Sequence, residues 1–209
     1  MLWFMRALIA AALGFAALSR PVFAAQGDDP DWPCIQRKVP ELSIGQIWTG
    51  PELPPQAADW SKDEAVSELV DDLAARRLPL PEAQEKIKAY RDTLPTDQRT
   101  LHIAMLIQGL FDKMNGERSH VISGIARYAQ RQRDLAASLR REGSALDAMR
   151  AKPDVDQNQV TLRSERLMFQ TRIFQERVQS LTYVCEVPTL IEQRLYALVK
   201  TLAEASPAQ

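Results

Sequence analysis

The hydrophobic pattern of the second half of the chain is helical over an unusually long stretch. Between residues 97 and 151, apolar side chains recur at alternating steps of four and three residues, the spacing of a heptad seam. The seam positions are Ile107, Phe111, Met114, Arg118, Val121, Ile125, Tyr128, Gln132, Leu135, Leu139, Glu142, Leu146 and Met149. Only Arg118, Gln132 and Glu142 interrupt it, and we interpret Gln132 and Glu142 as polar groups that select the register or the partner.

A second seam with the same period occupies residues 155–205. Its members lie seven residues apart: Val160, Leu167, Phe174, Leu181, Pro188, Leu195 and Leu202. The turn Lys152-Pro153-Asp154 separates the two seams. Two seam-bearing helices joined by a tight turn predict a long antiparallel helical hairpin with a coiled-coil-like arm.

The turn also predicts the register of the hairpin. If the turn is centred on Pro153, residues whose numbers sum to about 306 face each other, and apolar side chains then meet apolar ones. The same register sets Arg118 opposite Pro188, beside Asn115-Gly116. Because proline removes a backbone donor from its helix, we expect both helices to be weakest at this level. Beyond it, residues 120–185 should form a simple two-helix arm.

The residues before the hairpin predict the base on which this arm stands. Two short helices are expected at 61–76 and 81–94, the first opened by a capping box, Ser61-Lys62-Asp63-Glu64. Residues 25–60 contain six prolines, so we expect an extended Pro- and Trp-rich strap that packs against the helices. The predicted fold class is all-α, with residues 61–209 as one helical domain.

The first 24 residues have the order of a secretory signal peptide. One positive charge, Arg6, precedes an unbroken apolar run over residues 7–18. The small residues that follow predict cleavage after Ala24 or Ala25. The alternative is an uncleaved membrane anchor, but the apolar run is shorter than a span requires. We therefore expect a periplasmic protein.

The two cysteines, Cys34 and Cys185, both follow the predicted signal peptide. In an exported chain an even number of cysteines favours a disulfide. Closing a loop of this length contributes about 4–5 kcal/mol in loop-entropy models. The alternative is two free or intermolecularly paired thiols. The hairpin register puts Cys185 where arm and base meet, within reach of a strap that carries Cys34.

Composition and motifs exclude several classes of function. Without the leader the chain has 24 basic and 27 acidic residues, a net charge of −3, which argues against a nucleic-acid binder. The only histidines, His102 and His120, do not have metal-ligand spacing, and CxxC, CxxCH, GxSxG and GxGxxG motifs are absent. We expect no catalytic residues, no metal and no cofactor.

One charge feature of the arm suggests a partner. Arginines crowd the outgoing helix, and four of them are candidate partner-binding residues: Arg127, Arg131, Arg140 and Arg141. They could face an acidic protein of the envelope or anionic lipid headgroups. The alternative is a solvated flank of the kind that exposed helix pairs commonly carry.

These observations favour a non-enzymatic periplasmic interaction protein that uses the helical hairpin as its contact surface. It would be an accessory subunit, an adaptor or an assembly factor with an envelope protein as partner, and the arm is also free to pair with a second copy. The alternative is a periplasmic ligand-sensing or solute-binding helical bundle. Its pocket would lie in the base, lined by Trp32, Trp48, Trp60 and Tyr90.

Overall fold

The computed structural model describes residue 29 and residues 31–205, and it is all-α over that range. The predicted signal peptide, residues 1–24, lies outside the described residues. The helices are α1 (Ile44–Ile47), a 3-10 helix (Pro55–Lys62), α2 (Glu64–Ala74), α3 (Leu80–Thr93), α4 (Thr96–Arg150) and α5 (Gln157–Ala205). The predicted fold class, a long antiparallel hairpin with short helices and a strap at its base, is confirmed.

Helices α4 and α5 pack along each other as an antiparallel hairpin. Two contacts across the arm fix the register: the Tyr128 hydroxyl donates to the Arg177 carbonyl over 3.4 Å, and Arg163 Nε lies 3.1 Å from Glu142 Oε1. Both pairs have numbers that sum to 305, so the register predicted from the turn is confirmed. Glu142, an interruption of the seam, thus pairs across the hairpin.

The core of the protein lies at the base, where α2, α3 and the ends of α4 and α5 meet. Its fully buried large side chains include Leu73 from α2, Ile87 from α3, Leu106 and Leu110 from α4, and Leu195 from α5. At 1.5 Å per residue, α4 is about 80 Å long, and only its first half contributes to this core. The rest of α4 has only α5 and the strap to pack against, so the arm extends from a compact base.

The strap contains more regular structure than its prolines predict. Four residues form α1, whose first turn is closed by Gln46 Oε1 accepting from the Ser43 backbone N–H at 2.7 Å. The 3-10 helix begins at Pro55, where proline is tolerated because the first N–H groups of a helix have no internal partner. The strap is therefore extended only in part.

Helix α2 begins later than predicted because a different residue caps it. The Asp63 carboxylate accepts from the Val66 backbone N–H at 2.9 Å, while Ser61 lies inside the preceding 3-10 helix. The expected capping box at Ser61 is wrong. Asp63 caps α2 instead, and its acceptor also carries the negative charge that a helix N-terminus favours.

The predicted weak level of the hairpin contains no break in either helix. Helix α4 continues through Asn115 and Gly116, and α5 continues through the buried Pro188. Asn115 is not a soft spot, because its side chain holds the strap, as described below. Tertiary contacts at this level outweigh the weak helix-forming tendencies of the three residues.

Candidate interaction surface

Three polar side chains on one face of α4 hold the strap to the root of the arm. Asn115 contacts both backbone groups of Leu42: its Oδ1 accepts from the N–H at 3.1 Å, and its Nδ2 donates to the carbonyl at 3.3 Å. The Ser119 hydroxyl donates to the Pro40 carbonyl at 3.1 Å. These bonds satisfy backbone groups of a segment that has no regular structure of its own. We call Asn115, Arg118 and Ser119 the strap clamp.

Arg118 is the buried member of the strap clamp. It is 4% exposed, and its guanidinium donates to the Val39 carbonyl at 2.6 Å. Its Nε lies 3.5 Å from a carboxylate oxygen of Glu192 on α5, within ion-pair distance but without a hydrogen bond. One side chain thus joins the strap, α4 and α5 at a single level. Its position in the apolar seam is explained by this contact, because a buried charge must be paired.

The Cys34–Cys185 disulfide fastens the strap to α5 at the same end of the arm. The two Cα atoms are 5.5 Å apart, and Cys185 is buried. The pairing expected from the export signal and the hairpin register is confirmed. Together with the strap clamp, the disulfide fixes the strap to both helices of the hairpin.

The N-terminal end of the strap continues along α4 beyond the strap clamp. Asp31 forms an ion pair with Arg133, and Lys38 Nζ lies 2.5 Å from the Asp29 carboxylate and 5.9 Å from the centre of the Trp32 ring. The hydrogen bond from Lys38, with a second from the Asp31 N–H, lowers the pKa of Asp29 below its usual value. This flank of α4 is therefore occupied by the strap.

The four candidate arginines are exposed, but they do not form one cluster. Steps of four and ten residues place Arg127, Arg131 and Arg141 on one face of α4. Arg140 is rotated by about 100° from Arg141 and lies on the flank along which the strap runs. Within the described part of the chain, none of the four forms an ion pair. The first three residues therefore share one face with the exposed Asp134, and we call this face the arginine face.

The arginines of α5 are engaged differently. Arg163 pairs with Glu142 across the hairpin, and Arg172 Nε lies 3.0 Å from Glu176 Oε1 one turn along its own helix. Arg194 donates two hydrogen bonds, of 3.0 and 2.8 Å, to the Leu73 carbonyl at the end of α2. Burial lowers the pKa of Arg194. These side chains stabilise the fold and its surface and are not part of the arginine face.

The outer side of α5 carries an apolar surface that we did not predict from the sequence. Leu162, Phe169, Tyr183 and Leu190 are 65%, 64%, 76% and 52% exposed, and their numbers differ by multiples of seven. Residues seven apart share a face of a helix, so these four form one stripe, with Glu176 at its middle. Each stripe position follows a seam position by two residues, or 200° around the helix, so the stripe points away from α4. We call it the outer stripe.

The aromatic residues expected to line a pocket have separate partners instead. The Trp32 indole donates to the Gln36 carbonyl at 2.6 Å, and the Trp48 indole donates to the Pro51 carbonyl at 2.7 Å, both within the strap. The other two residues contact α4. Trp60 packs against Gly109 with its indole donating to Asp112 at 3.0 Å, and Tyr90 bonds to His102 Nδ1 at 2.7 Å. These contacts do not support a shared pocket.

Among the described residues, no group of three or more histidine, cysteine, aspartate or glutamate side chains could hold a metal ion. Over the same residues, none of the helices combines the length and the apolarity needed to cross a membrane. Comparison of the chain with protein-family models, with curated proteins and with solved structures finds no match in any of the three. The fold and the surface thus define a class, an all-α helical hairpin whose base is bound by a disulfide-fastened strap.

Proposed function

We propose that the protein is a non-enzymatic interaction protein of the periplasm, an accessory subunit, adaptor or assembly factor that uses its hairpin arm as a contact surface. One observation carries the proposal. Of the nine large apolar side chains exposed among the described residues, eight lie on α5, and six of these are in the arm. Scattered apolar residues are ordinary on a protein surface, but their concentration on one helix is typical of an interaction site.

The way the polar groups are used supports an interaction role over an enzymatic one. The buried Arg118 binds the strap, and the half-buried Asn115 and Arg194 satisfy backbone groups of neighbouring segments. Catalysis requires polar groups that converge on an open space, whereas these converge on the chain itself. Their effect is to hold the arm at a fixed position on its base, and a rigid arm loses less entropy when it binds.

The arginine face extends the contact surface to a second side of the arm. Arg127, Arg131 and Arg141 are exposed and free of ion pairs within the described residues, so they are available to an acidic partner. Electrostatic attraction of this kind increases the association rate and the selectivity more than the affinity. The periplasmic location rests on the predicted signal peptide and agrees with the disulfide, since such bonds persist in oxidising compartments.

Affinity purification of the tagged protein from the periplasm of its own host tests the proposal. Wild type is compared with a Phe169→Ser variant, an Arg127→Glu/Arg131→Glu variant, and a Glu85→Gln control on the exposed side of α3 in the base. We expect an envelope protein in stoichiometric amount with wild type and the control, and its loss with at least one arm variant. Absence of a stoichiometric partner, or equal recovery with all variants, would contradict the proposal.

A further inference from the structure

The charges that flank the outer stripe indicate what kind of surface covers it. Between residues 162 and 190 the exposed charged groups on and beside the stripe are balanced: Glu165, Arg166, Arg172, Glu176, Arg177 and Glu186. An anionic membrane surface favours an amphipathic helix with an excess of lysine and arginine. A mixture of both signs beside an apolar stripe is instead typical of a helix that packs against another helix.

We propose that the outer stripe of α5 binds the same stripe of a second copy of this chain, with the two helices antiparallel and related by a twofold axis. The inference rests on the proposed function in that it takes the arm to be a contact surface, and it names one occupant of that surface. A twofold interface requires a patch that is complementary to itself. The side chains of the outer stripe can be checked against this requirement.

One antiparallel register satisfies the apolar positions. When the numbers of facing residues sum to about 359, Phe169 lies opposite Leu190 of the second copy, and Leu162 lies opposite Ala197. Glu176, the one charged member of the stripe, then faces the Tyr183 hydroxyl, which can donate a hydrogen bond to it. A register seven residues shorter, or a parallel arrangement, would instead set Glu176 against itself, which costs energy because the charges are alike.

The charged flank selects the same register. Arg172 and Glu186 are fourteen residues apart and therefore lie on the same side of the stripe. In the proposed pair, Arg172 of each copy lies level with Glu186 of the other, so the guanidinium that contacts Glu176 of its own helix also reaches Glu186, which gives two ion pairs by symmetry. On the opposite flank Ile173 is level with Val187. Arg194 approaches the level of Arg166, but its guanidinium is turned away to the Leu73 carbonyl.

The exposed area is sufficient for a weak specific dimer. The four apolar members of the stripe are between 52% and 76% exposed. The two aromatic side chains have 150–250 Å² of surface each and the two leucines less, so the four together expose on the order of 500 Å² per copy, or about 1,000 Å² for both. That total is an upper limit for the area the contact can bury, and it lies at the lower limit for specific interfaces, so we expect a weak dimer.

Sedimentation equilibrium of the purified, disulfide-bonded full chain between 1 and 200 μM tests the proposal. We expect a monomer–dimer equilibrium in wild type and at least a thirtyfold weaker dimer for Phe169→Ser, since each lost aromatic contact occurs twice. The matched control is Tyr196→Ser. Tyr196 lies six residues beyond Leu190, which places it about 120° around the helix from the stripe. Circular dichroism establishes that each variant remains folded. A wild type that is monomeric at 200 μM, or a dimer that Phe169→Ser leaves unchanged, overturns the proposal.

Charge reversal tests the register. Arg172→Glu alone and Glu186→Arg alone should each weaken the dimer severalfold, whereas the double variant should recover it. An equimolar mixture of the two single variants should also dimerise, because each then supplies the charge that the other needs. Failure of both rescues overturns the antiparallel register. Binding of the monomer to anionic vesicles through Phe169, without dimerisation, would overturn the proposed occupant. The Arg127→Glu/Arg131→Glu variant leaves the outer stripe unchanged, so recovery of an envelope partner with wild type and with this variant tests the proposed function separately from the dimer.

Discussion

Removal of the Cys34–Cys185 bond should destabilise the protein chiefly through its unfolded state. The bond spans 151 residues, and the chain-entropy relation for a loop of this length gives about 17 cal/mol/K, or about 5 kcal/mol at 25 °C. In the folded state the strap clamp still holds Pro40–Leu42 a few residues beyond Cys34, so the strap should stay in place without the bond. The protein therefore loses stability because the unfolded chain without the bond has more conformational entropy.

Urea denaturation followed by helical circular dichroism measures this effect for wild type and a Cys34→Ala/Cys185→Ala variant. We expect the free energy of unfolding to fall by about 4–5 kcal/mol and the denaturant slope to rise, because an unlinked unfolded chain exposes more surface. Wild type after reduction is the control, since it separates the loss of the bond from the small cavity left at the buried Cys185. A loss below about 1 kcal/mol with an unchanged slope would refute the reasoning.

Four further substitutions test the packing of the base and the strap. Asn115→Ala removes two hydrogen bonds to the strap backbone and should lower the free energy of unfolding by roughly 1–3 kcal/mol in urea melts; an unchanged midpoint would mean that the strap does not depend on this residue. Gly109→Ala places a methyl group 2.8 Å from the Trp60 ring and should destabilise the protein by about 1–3 kcal/mol. At Gly116 an added methyl group meets nothing within 4 Å, so Gly116→Ala should stabilise the protein by about 0.5–1 kcal/mol. Equal effects of the two substitutions would contradict the close approach of Gly109 to Trp60. Burial raises the pKa of Tyr90 to about 12, against about 10 in an unfolded chain. The stabilisation that the protonated hydroxyl gives the folded state is therefore complete below pH 10 and is lost as the pH rises through 12. Tyr90→Phe should make the free energy of unfolding less dependent on pH between pH 9 and 12, and an identical decline in both proteins would contradict this assignment.

The hairpin could be predicted because its information is local and repeated. Each turn of α4 and α5 carries the seam, so single interruptions such as Gln132 do not obscure the period. Once the turn at Pro153 is placed, the chain has only one way to pair the two seams. The disulfide followed from the same register, since it set Cys185 at the end of the arm where the strap arrives. Predictions that depend on many similar positions tolerate individual errors.

The base was less predictable because single contacts decide its details. Ser61 and Asp63 are both competent caps, and only the preceding 3-10 helix determines that Asp63 takes the position. Asn115 lies at the level of Pro188, where we expected both helices to be weakest, yet two hydrogen bonds to the strap give it a structural role. The sequence shows that such side chains are present but does not show which distant backbone groups they reach.

Arg118 was misinterpreted and the outer stripe was not predicted, and both errors have the same cause. The heptad pattern identifies the residues of one helix that face the other helix of the hairpin. A polar residue in the seam, or an apolar residue outside it, is then interpreted only by its relation to that interface. Arg118 looked like a defect of the seam because the strap that it binds comes from residues almost 80 positions earlier. The outer stripe has the same seven-residue period as the α5 seam, but Glu176 interrupts it. The stripe becomes evident only when α4 is known to cover the other side of α5, which leaves these side chains exposed. A single hairpin can cover only one of two opposite apolar sides of a helix, and the outer stripe is the side that it leaves exposed.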